Sequence, residues 1–298
     1  KFSPDGSQRI YLAIIGGAGD DTGFSLAVDG FGASYITGVT DSHNFPLVNS
    51  FQSAFGGGSQ DAFFSKLNPA GTALEYSTNF GGSETDSGFA IAIDSTGSAY
   101  AAGSTDSPEV STLGHSDAFV TKISSSGGSR EYFSILGGTG DDTAFDLALD
   151  GAGNAYIVGA TDSSDFSIVN ALQPNYGGLG DAFLAKLGLS GGIIYSTFFG
   201  GAGSDSGFGI AVGGEGEPYI TGATDSPEFT GLGGRDAFAA KFNSLATERN
   251  YLTILGGSGH DASFAIAVDS IGNAHVTGST SSHNFTTANP IQPNLGGS

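Results

Sequence analysis

The chain has 298 residues, 30 acidic and 9 basic, for a net charge of −21, with 51 Gly and no Cys, Met or Trp. This balance repels nucleic-acid phosphates and anionic membrane surfaces; cations and basic proteins are its natural partners, and solubility in salty water is its plainest use. Without Cys there is neither a disulfide framework nor thiol chemistry, and no apolar run approaches the ~18 residues of a spanning helix.

With no initiator Met, the sequence reads as a processed product or a piece of a longer one. Abundant Gly and scarce Lys fit an extracellular β-rich protein better than a cytosolic enzyme. Residues 1–15 begin in mid-repeat. Lys1-Phe2 and Ser3-Pro4-Asp5-Gly6 match Lys66-Leu67 and Asn68-Pro69-Ala70-Gly71, where Pro and Gly mark a turn. Arg9 to Ile15 then reads as a strand, like Leu74 to Phe80.

A Gly-Gly loop follows at Gly16, and it returns at Gly81, Gly137, Gly200 and Gly256. Its sixth position is always Asp (Asp21, Asp86, Asp142, Asp205, Asp261) and its ninth always Phe (Phe24, Phe89, Phe145, Phe208, Phe264). Recurrence of this kind within one chain means one supersecondary unit built repeatedly. Phe24-Ser25-Leu26-Ala27-Val28 alternates large and small residues, which predicts a strand buried on both faces. Asp29-Gly30-Phe31-Gly32 predicts a tight turn with Gly at a positive φ, and Ser34 to Gly38 a second strand.

A polar loop opening with Thr40-Asp41-Ser42 comes next, and its length alternates between repeats. The long form runs from Phe45-Pro46 to Phe55-Gly56-Gly57 and from Phe166 to Tyr176-Gly177-Gly178; the short form runs from Asp106-Ser107-Pro108 to His115. A third strand opens with Asp-Ala-Phe at Asp61, Asp117, Asp181 and Asp236. All the lysines (Lys1, Lys66, Lys122, Lys186, Lys241) share one position on it, as neutralising partners for strand-end or loop carboxylates. A fourth strand carries Tyr76, Tyr132, Tyr195 and Tyr251.

Four short antiparallel strands cannot bury both faces alone, and packing such sheets around an axis gives an all-β β-propeller. A β-helix is the structural alternative, although its repeats are usually shorter. The pattern predicts one propeller domain over residues 1–298, with repeats starting near 1, 61, 117, 181 and 236. Copy five holds only two strands, from Phe264 and Ala274, so Lys1-Phe2 and Arg9 to Ile15 would complete it and the termini would share a blade. A five-bladed ring is the favoured reading and a segment of a larger array the alternative.

Asp-Ala-Phe-Leu-Ala-Lys-Leu (181–187), Tyr195-Ser196-Thr197, Gly200-Gly201, Phe264 to Asp269, Gly153 to Gly159 and Phe45-Pro46 together resemble the bacterial SBBP β-propeller repeat, with NHL-like strand motifs. Gly213 in place of the strand-end Asp, and Ser281 in place of the Asp of Thr-Asp-Ser, depart from the pattern. The resemblance implies a secreted or surface-displayed bacterial protein and brings no catalytic residues with it.

In a meander blade the fourth-to-first and second-to-third loops emerge together, so one face gathers the acids. Asp21, Asp86, Asp142, Asp205 and Asp261 would lie near the central opening. Carboxylates and loop carbonyls there suit Ca²⁺; against that, a single Asp per loop more often accepts its own loop's N–H groups, and no EF-hand spacing is present. The five His form no close pair. Neither a nucleophile elbow nor a Walker loop occurs.

The expected function is therefore a non-catalytic extracellular or cell-surface scaffold or binding module. Its partner would be a protein or glycan, or further copies in an assembly, with the long loops as contact face. The alternatives are a lectin-like propeller with sugars between blades, and a glycan-cleaving propeller using a carboxylate pair. For the last, Asp146 is the one candidate, since it stands where other copies have Ser25, Ala90, Gly209 and Ala265.

Overall fold

A computed structural model describes residues 1–229, 233–292 and 295–296. It divides into two compact units, Lys1–Ile135 and Leu136–Ser298. Among the described residues there are strands and turns but no helix.

The first unit contains β1 (Asp21–Val28), β2 (Ser34–Thr40), β3 (Asp61–Leu67) and β4 (Leu74–Phe80), then β5 (Asp86–Ile93), β6 (Ala99–Thr105), β7 (Asp117–Ile123) and β8 (Arg130–Leu136), whose last residue falls just past the unit boundary. They form two antiparallel sheets, β1-β2-β3-β4 and β5-β6-β7-β8. The second unit repeats the plan with β9 (Asp142–Leu149), β10 (Ala155–Thr161), β11 (Asp181–Leu187) and β12 (Ile193–Phe199), then β13 (Asp205–Val212), β14 (Pro218–Thr224), β15 (Asp236–Phe242) and β16 (Arg249–Leu255). It ends with β17 (Asp261–Val268) and β18 (Ala274–Thr280), paired as a two-stranded sheet. The repeating four-stranded antiparallel sheets are propeller blades, as the sequence predicts.

The turns follow their residue chemistry. Between β1 and β2, Asp29 Oδ1 accepts the N–H groups of Phe31 and Ala33, and Gly32 takes φ +88°. The equivalents Gly97, Gly153, Gly216 and Gly272 are also positive, so Gly is needed at this one position.

The first strand is not a regular two-residue alternation. A register shift lies between Gly23 and Ser25, and likewise between Gly88 and Ala90, Gly207 and Gly209, and Ser263 and Ala265. In β9 the shift falls between Ala144 and Asp146. The residue skipped each time is the invariant Phe, so that Phe sits on a β-bulge, which re-aims its ring. The rings meet from sheet to sheet: Phe24 and Phe89 at 5.6 Å, Phe145 and Phe208 at 5.4 Å, Phe208 and Phe264 at 5.8 Å. Nor is β1 buried on both faces, for Phe24, Leu26 and Val28 are exposed.

Arg9 to Ile15 is not a strand. Its residues are mostly exposed and Arg9 makes only an isolated bridge with Phe2. A strand pattern without a ladder partner leaves its backbone to water.

The core of the first unit is built on Tyr35, Phe64, Tyr76, Phe80, Ile91 and Phe119. That of the second is built on Tyr156, Leu184, Tyr195, Phe199, Phe238 and Phe242. Burying each such side chain stabilises by roughly 1.5–3 kcal/mol.

The long loops have a structural task. In the first, Val48 and Ser77 exchange backbone hydrogen bonds (3.0 and 2.7 Å), and Asn49, at φ +48°, donates Nδ2 to Glu75 O. In the second, Val169 bridges Ser196 and Asn170 donates to Ile194 O. Each long loop therefore covers the outer edge of its own blade, blunting an edge that would otherwise invite pairing. The covered strands β4 and β12 are buried over their last five residues, whereas β8 and β16, preceded by short loops, stay more open.

Candidate functional site

The register places the chemistry in two rows. At one end of each blade lie Asp21, Thr40 and Asp61, paired directly across the sheet, and their repeats Asp86-Thr105-Asp117, Asp142-Thr161-Asp181 and Asp205-Thr224-Asp236. The fourth-to-first and second-to-third loops therefore do emerge together.

Each first-strand Asp is tied into its own blade. Its Oδ2 accepts the N–H of the Gly four residues earlier: Gly17 at 2.7 Å, Gly82 at 2.8 Å, Gly138 at 2.9 Å, Gly201 at 2.9 Å and Gly257 at 3.0 Å. The same oxygen accepts the hydroxyl of Ser42, Ser107, Ser163, Ser226 or Ser282, at 2.6 to 3.0 Å. These Asp residues clamp the Gly-Gly loop to the Thr-x-Ser loop. Among the described residues no three His, Asp or Glu side chains come together as a metal-ligand set.

The departure at Ser281 is explained by the same geometry. Asp41 Oδ1 accepts the N–H of Asp20 at 2.5 Å, and Ser281 Oγ accepts that of His260 at 2.7 Å. In these two copies the middle residue supplies an acceptor oxygen, while the final Ser makes the clamp.

The third-strand Asp residues meet the first-strand Asp of the following sheet across a glycine. A Cβ on Gly81 would stand 2.7 Å from Asp61 Oδ1 and 2.5 Å from Asp86 Oδ2. One on Gly200 would stand 2.6 Å from Asp181 Oδ1 and 2.8 Å from Asp205 Oδ2. Gly256 lies in the same way between Asp236 and Asp261. All six carboxylates are buried, and the Oδ1 atoms of all six accept no hydrogen bond. Desolvation of a carboxylate disfavours its charged form, and four of the six respond. Burial, with Asp86 beside it, pushes Asp61 up to about 6. Burial, with Asp205 beside it, does the same for Asp181. Asp86 and Asp236 are raised by burial too. The solvent-facing charge at this end comes instead from Asp20, Asp41, Glu84 and Asp106 in the first unit, and from Asp141, Asp162 and Asp225 in the second.

The second row lies toward the other end of the blade. Tyr35, Lys66 and Tyr76 pair across three strands, with Lys66 Nζ 4.9 Å from the Tyr35 ring centre and the two rings edge to face at 6.3 Å. The set recurs as Tyr100-Lys122-Tyr132, Tyr156-Lys186-Tyr195 and Tyr219-Lys241-Tyr251. The lysines neutralise carboxylates: Lys122 meets Asp94 at 3.2 Å and Glu131 at 3.1 Å, and Lys186 meets Asp150 at 3.4 Å. Where Gly213 replaces the strand-end Asp, Glu217 supplies the charge, 3.2 Å from Lys241. A Cβ on Gly213 would stand 2.7 Å from Glu217 Oε2, so the carboxylate fills the place of the missing one.

The tyrosines also brace neighbouring sheets, a role the sequence did not signal. Tyr35 OH donates to Gly97 O at 3.3 Å, Tyr156 OH to Gly216 O at 3.0 Å and Tyr219 OH to Gly272 O at 3.4 Å. The acceptor each time is the positive-φ Gly of the next sheet's first turn. Only the spacing of sheets in space, not of residues in sequence, brings the two together.

Asp146 is half-buried, and its carboxylate reaches the next sheet. Its carboxylate accepts the N–H of Ile210 at 2.9 Å and of Leu147 at 2.9 Å, and burial pushes it up to about 6. Ser25 occupies the equivalent place, accepting the N–H of Ile91 at 3.3 Å. Asp146 thus takes up a sheet-to-sheet hydrogen bond that another repeat makes with Ser.

The beta-propeller repeat model SBBP matches residues 10–46, 75–108, 131–167 and 250–286. These are SBBP beta-propeller repeats. Each match runs from a fourth-strand position through the Gly-Gly loop and the first two strands to the Thr-x-Ser loop, so it contains the Asp–Ser clamp. The copy around β13 and β14 is outside the matches, and it is the one with Gly213 and Glu217-Pro218. A comparison with curated proteins returns no match.

Proposed function

We propose that this SBBP-repeat chain is a non-catalytic scaffold or binding module, displayed outside the cell, that engages a protein or glycan through the less covered parts of its blades. One observation carries the reading. The repeated acids that could have formed a site are committed to holding loops and sheets together, through the Gly N–H and Ser hydroxyl bonds of Asp21, Asp86, Asp142, Asp205 and Asp261. The outer strands β8 and β16, less buried than β4 and β12, are the contact surfaces this reading uses. The test immobilises the protein and passes bacterial cell-envelope proteins and polysaccharides over it. A version with a charged residue at Tyr251 on β16 should lose the captured component. Equal capture by both, or turnover of chromogenic glycosides above the buffer rate, would overturn the proposal.

A second reading, lectin-like binding between blades, is favoured by one cleft. A hollow of about 460 Å³ lies between the first turns of the two sheets of the first unit, bordered by Phe31, Tyr35, Asp29, Asp94 and Lys66. Phe31 is almost wholly exposed at its rim, where a sugar's apolar face would stack and carboxylates would take its hydroxyls. A glycan array with no binder, or binding indifferent to Phe31→Ala, would remove this reading.

A further inference from the structure

Among the described residues β18 pairs only with β17, and beside it lies a hollow of about 250 Å³ bordered by Leu255, Val276, Gly278 and Phe285. The complete blades show what belongs there. In three of the four the third-strand Phe is among the atoms nearest the second-strand Gly: a Cβ on Gly103 would stand 3.0 Å from the Phe119 ring, one on Gly159 2.5 Å from Phe183 and one on Gly222 2.9 Å from Phe238. Gly278 is the same residue of the repeat; the atoms nearest a Cβ on it belong to Ala262 and Ser263 of β17, as those nearest Gly38 belong to Thr22 and Gly23, but among the described residues no third strand pairs with β18 to bring a ring over it.

The walls correspond as well. Phe285 stands where Phe45 and Phe166 pack on Phe63 and Phe183, both at 4.7 Å. Leu255 stands where Phe80 and Phe199 meet Phe119 and Phe238, at 4.8 and 5.0 Å. An apolar cavity of roughly 150 Å³ holds a benzene ring, so a phenyl side chain fits this hollow.

Two further features point to the same occupant. Asp269 holds the place of Asp94 and Asp150, which pair with lysines, yet among the described residues its ion-pair partner is His275 at 3.8 Å. Asn289 takes φ +49°, as do Asn49 and Asn170 at +48°, although those two use that conformation to bond the fourth strand of their blades. The loop is shaped for a strand that β17–β18 does not contain.

We propose that the β17–β18 sheet is an acceptor for a β-hairpin of the repeat's own third-and-fourth-strand kind, opening Asp-Ala-Phe-x-x-Lys. The hairpin pairs along β18, seats its Phe in the hollow between Gly278 and Phe285, and places its Lys against Asp269. Its fourth strand runs under the loop at Asn289. Main-chain pairing supplies affinity and the Phe and Lys supply specificity, as in other strand-addition complexes.

The test titrates the full chain with a solubilised peptide of residues 181–199, the hairpin of β11 and β12. Saturable binding is expected, with slowed amide exchange over Ala274–Thr280. Phe183→Ala in the peptide should weaken binding by about tenfold or more, since a central aromatic anchor dominates such contacts. Lys186→Glu in the peptide should weaken it several-fold and be restored by Asp269→Lys in the protein. No saturable binding, equal binding of the Phe183→Ala peptide, or protection confined to other strands would overturn the proposal.

Discussion

The sheet β13–β16 and the sheet β17–β18 start from nearly the same repeat and end differently. In the first, Tyr219, Ile220 and Thr221 of the second strand are completely or almost completely buried. In the second, the equivalent His275, Val276 and Thr277 are exposed. Yet Asp261 is as deeply buried as Asp205, and both accept a Gly N–H and a Ser hydroxyl. The loop clamp therefore belongs to the first two strands and forms without the rest of the blade. The burial of the second strand belongs to the third and fourth strands. The repeat holds two separable layers of stability, a local polar clamp and a non-local apolar core.

The largest expected effect lies in the apolar layer. Phe238 is fully buried in its cluster, so Phe238→Ala should cost about 3–5 kcal/mol by chemical denaturation. Val276→Ala, in the incomplete sheet, should cost less than about 1 kcal/mol. Similar losses at both sites would mean that β17–β18 is covered in solution. The next effect lies in the clamp. Gly200→Ala drives a Cβ into Asp181 and Asp205, whose short buried side chains cannot yield, and should cost about 1–3 kcal/mol. Gly151→Ala meets nothing within 4 Å and should be neutral or stabilise by up to about 1 kcal/mol through the unfolded chain. The difference between the two melting midpoints measures the crowding at the carboxylate pair.

The buried pairs also make stability depend on pH. Asp61 and Asp181 hold their protons up to about 6, well above an unfolded aspartate. Between the two values the folded chain binds more protons than the unfolded one, so stability is fully present at the acid end and falls as pH rises through about 6. Asp181 is faced by Asp205, Tyr176 and the Gln173 amide, and Asp61 by Asp86 and His43. Asp94 and Asp150 act in the opposite sense. Burial disfavours their charged forms, but for Asp94 the Thr96 hydroxyl and Lys122, and for Asp150 Asn154 and Lys186, outweigh it and hold them low. Their contribution is lost only at more acid pH. Thermal midpoints should therefore decline from pH 4.5 to 7, and Asp181→Asn should flatten that decline. An unchanged slope in the variant would place the pH dependence elsewhere.

Much of this was legible in the chain. Asp-Ala-Phe, Lys66, Lys122, Lys186 and Lys241, and the Gly of each first turn have fixed local meanings and fall where their spacing predicts, whereas Lys1, expected at the same strand position, lies outside every strand. The bulge at Phe24 was not legible, because alternation of large and small residues looks the same with or without one skipped residue. Arg9 to Ile15 has strand composition but no partner, and composition carries no information about partners. Counting could place Asp21 and its repeats at one end of the sheet but could not aim their side chains. The direction of each Oδ2 toward its own loop depends on Ser residues 21 positions later. The same limit hid the pairing of Asp61 with Asp86, which sequence places in different repeats.

The smallest effect tests whether the lysine column stabilises through charge. Asp150 and Asp269 make the same turn: each accepts two backbone N–H groups and an Asn side-chain N–H. They differ in that Asp150 also faces Lys186 at 3.4 Å, beside Tyr156. Replacing each with Asn keeps an acceptor oxygen for the turn, so the turn term largely cancels between them. Asp150→Asn strips the partly buried Lys186 of its counter-charge and should cost about 1 kcal/mol, the upper end for such pairs. Asp269→Asn should leave the midpoint unchanged. Adding 0.5 M salt to the parent protein should recover little of the Asp150 effect, because partly buried pairs are screened less than exposed ones. Equal losses at the two sites would assign the lysine column to packing against the tyrosine rings rather than to the carboxylates.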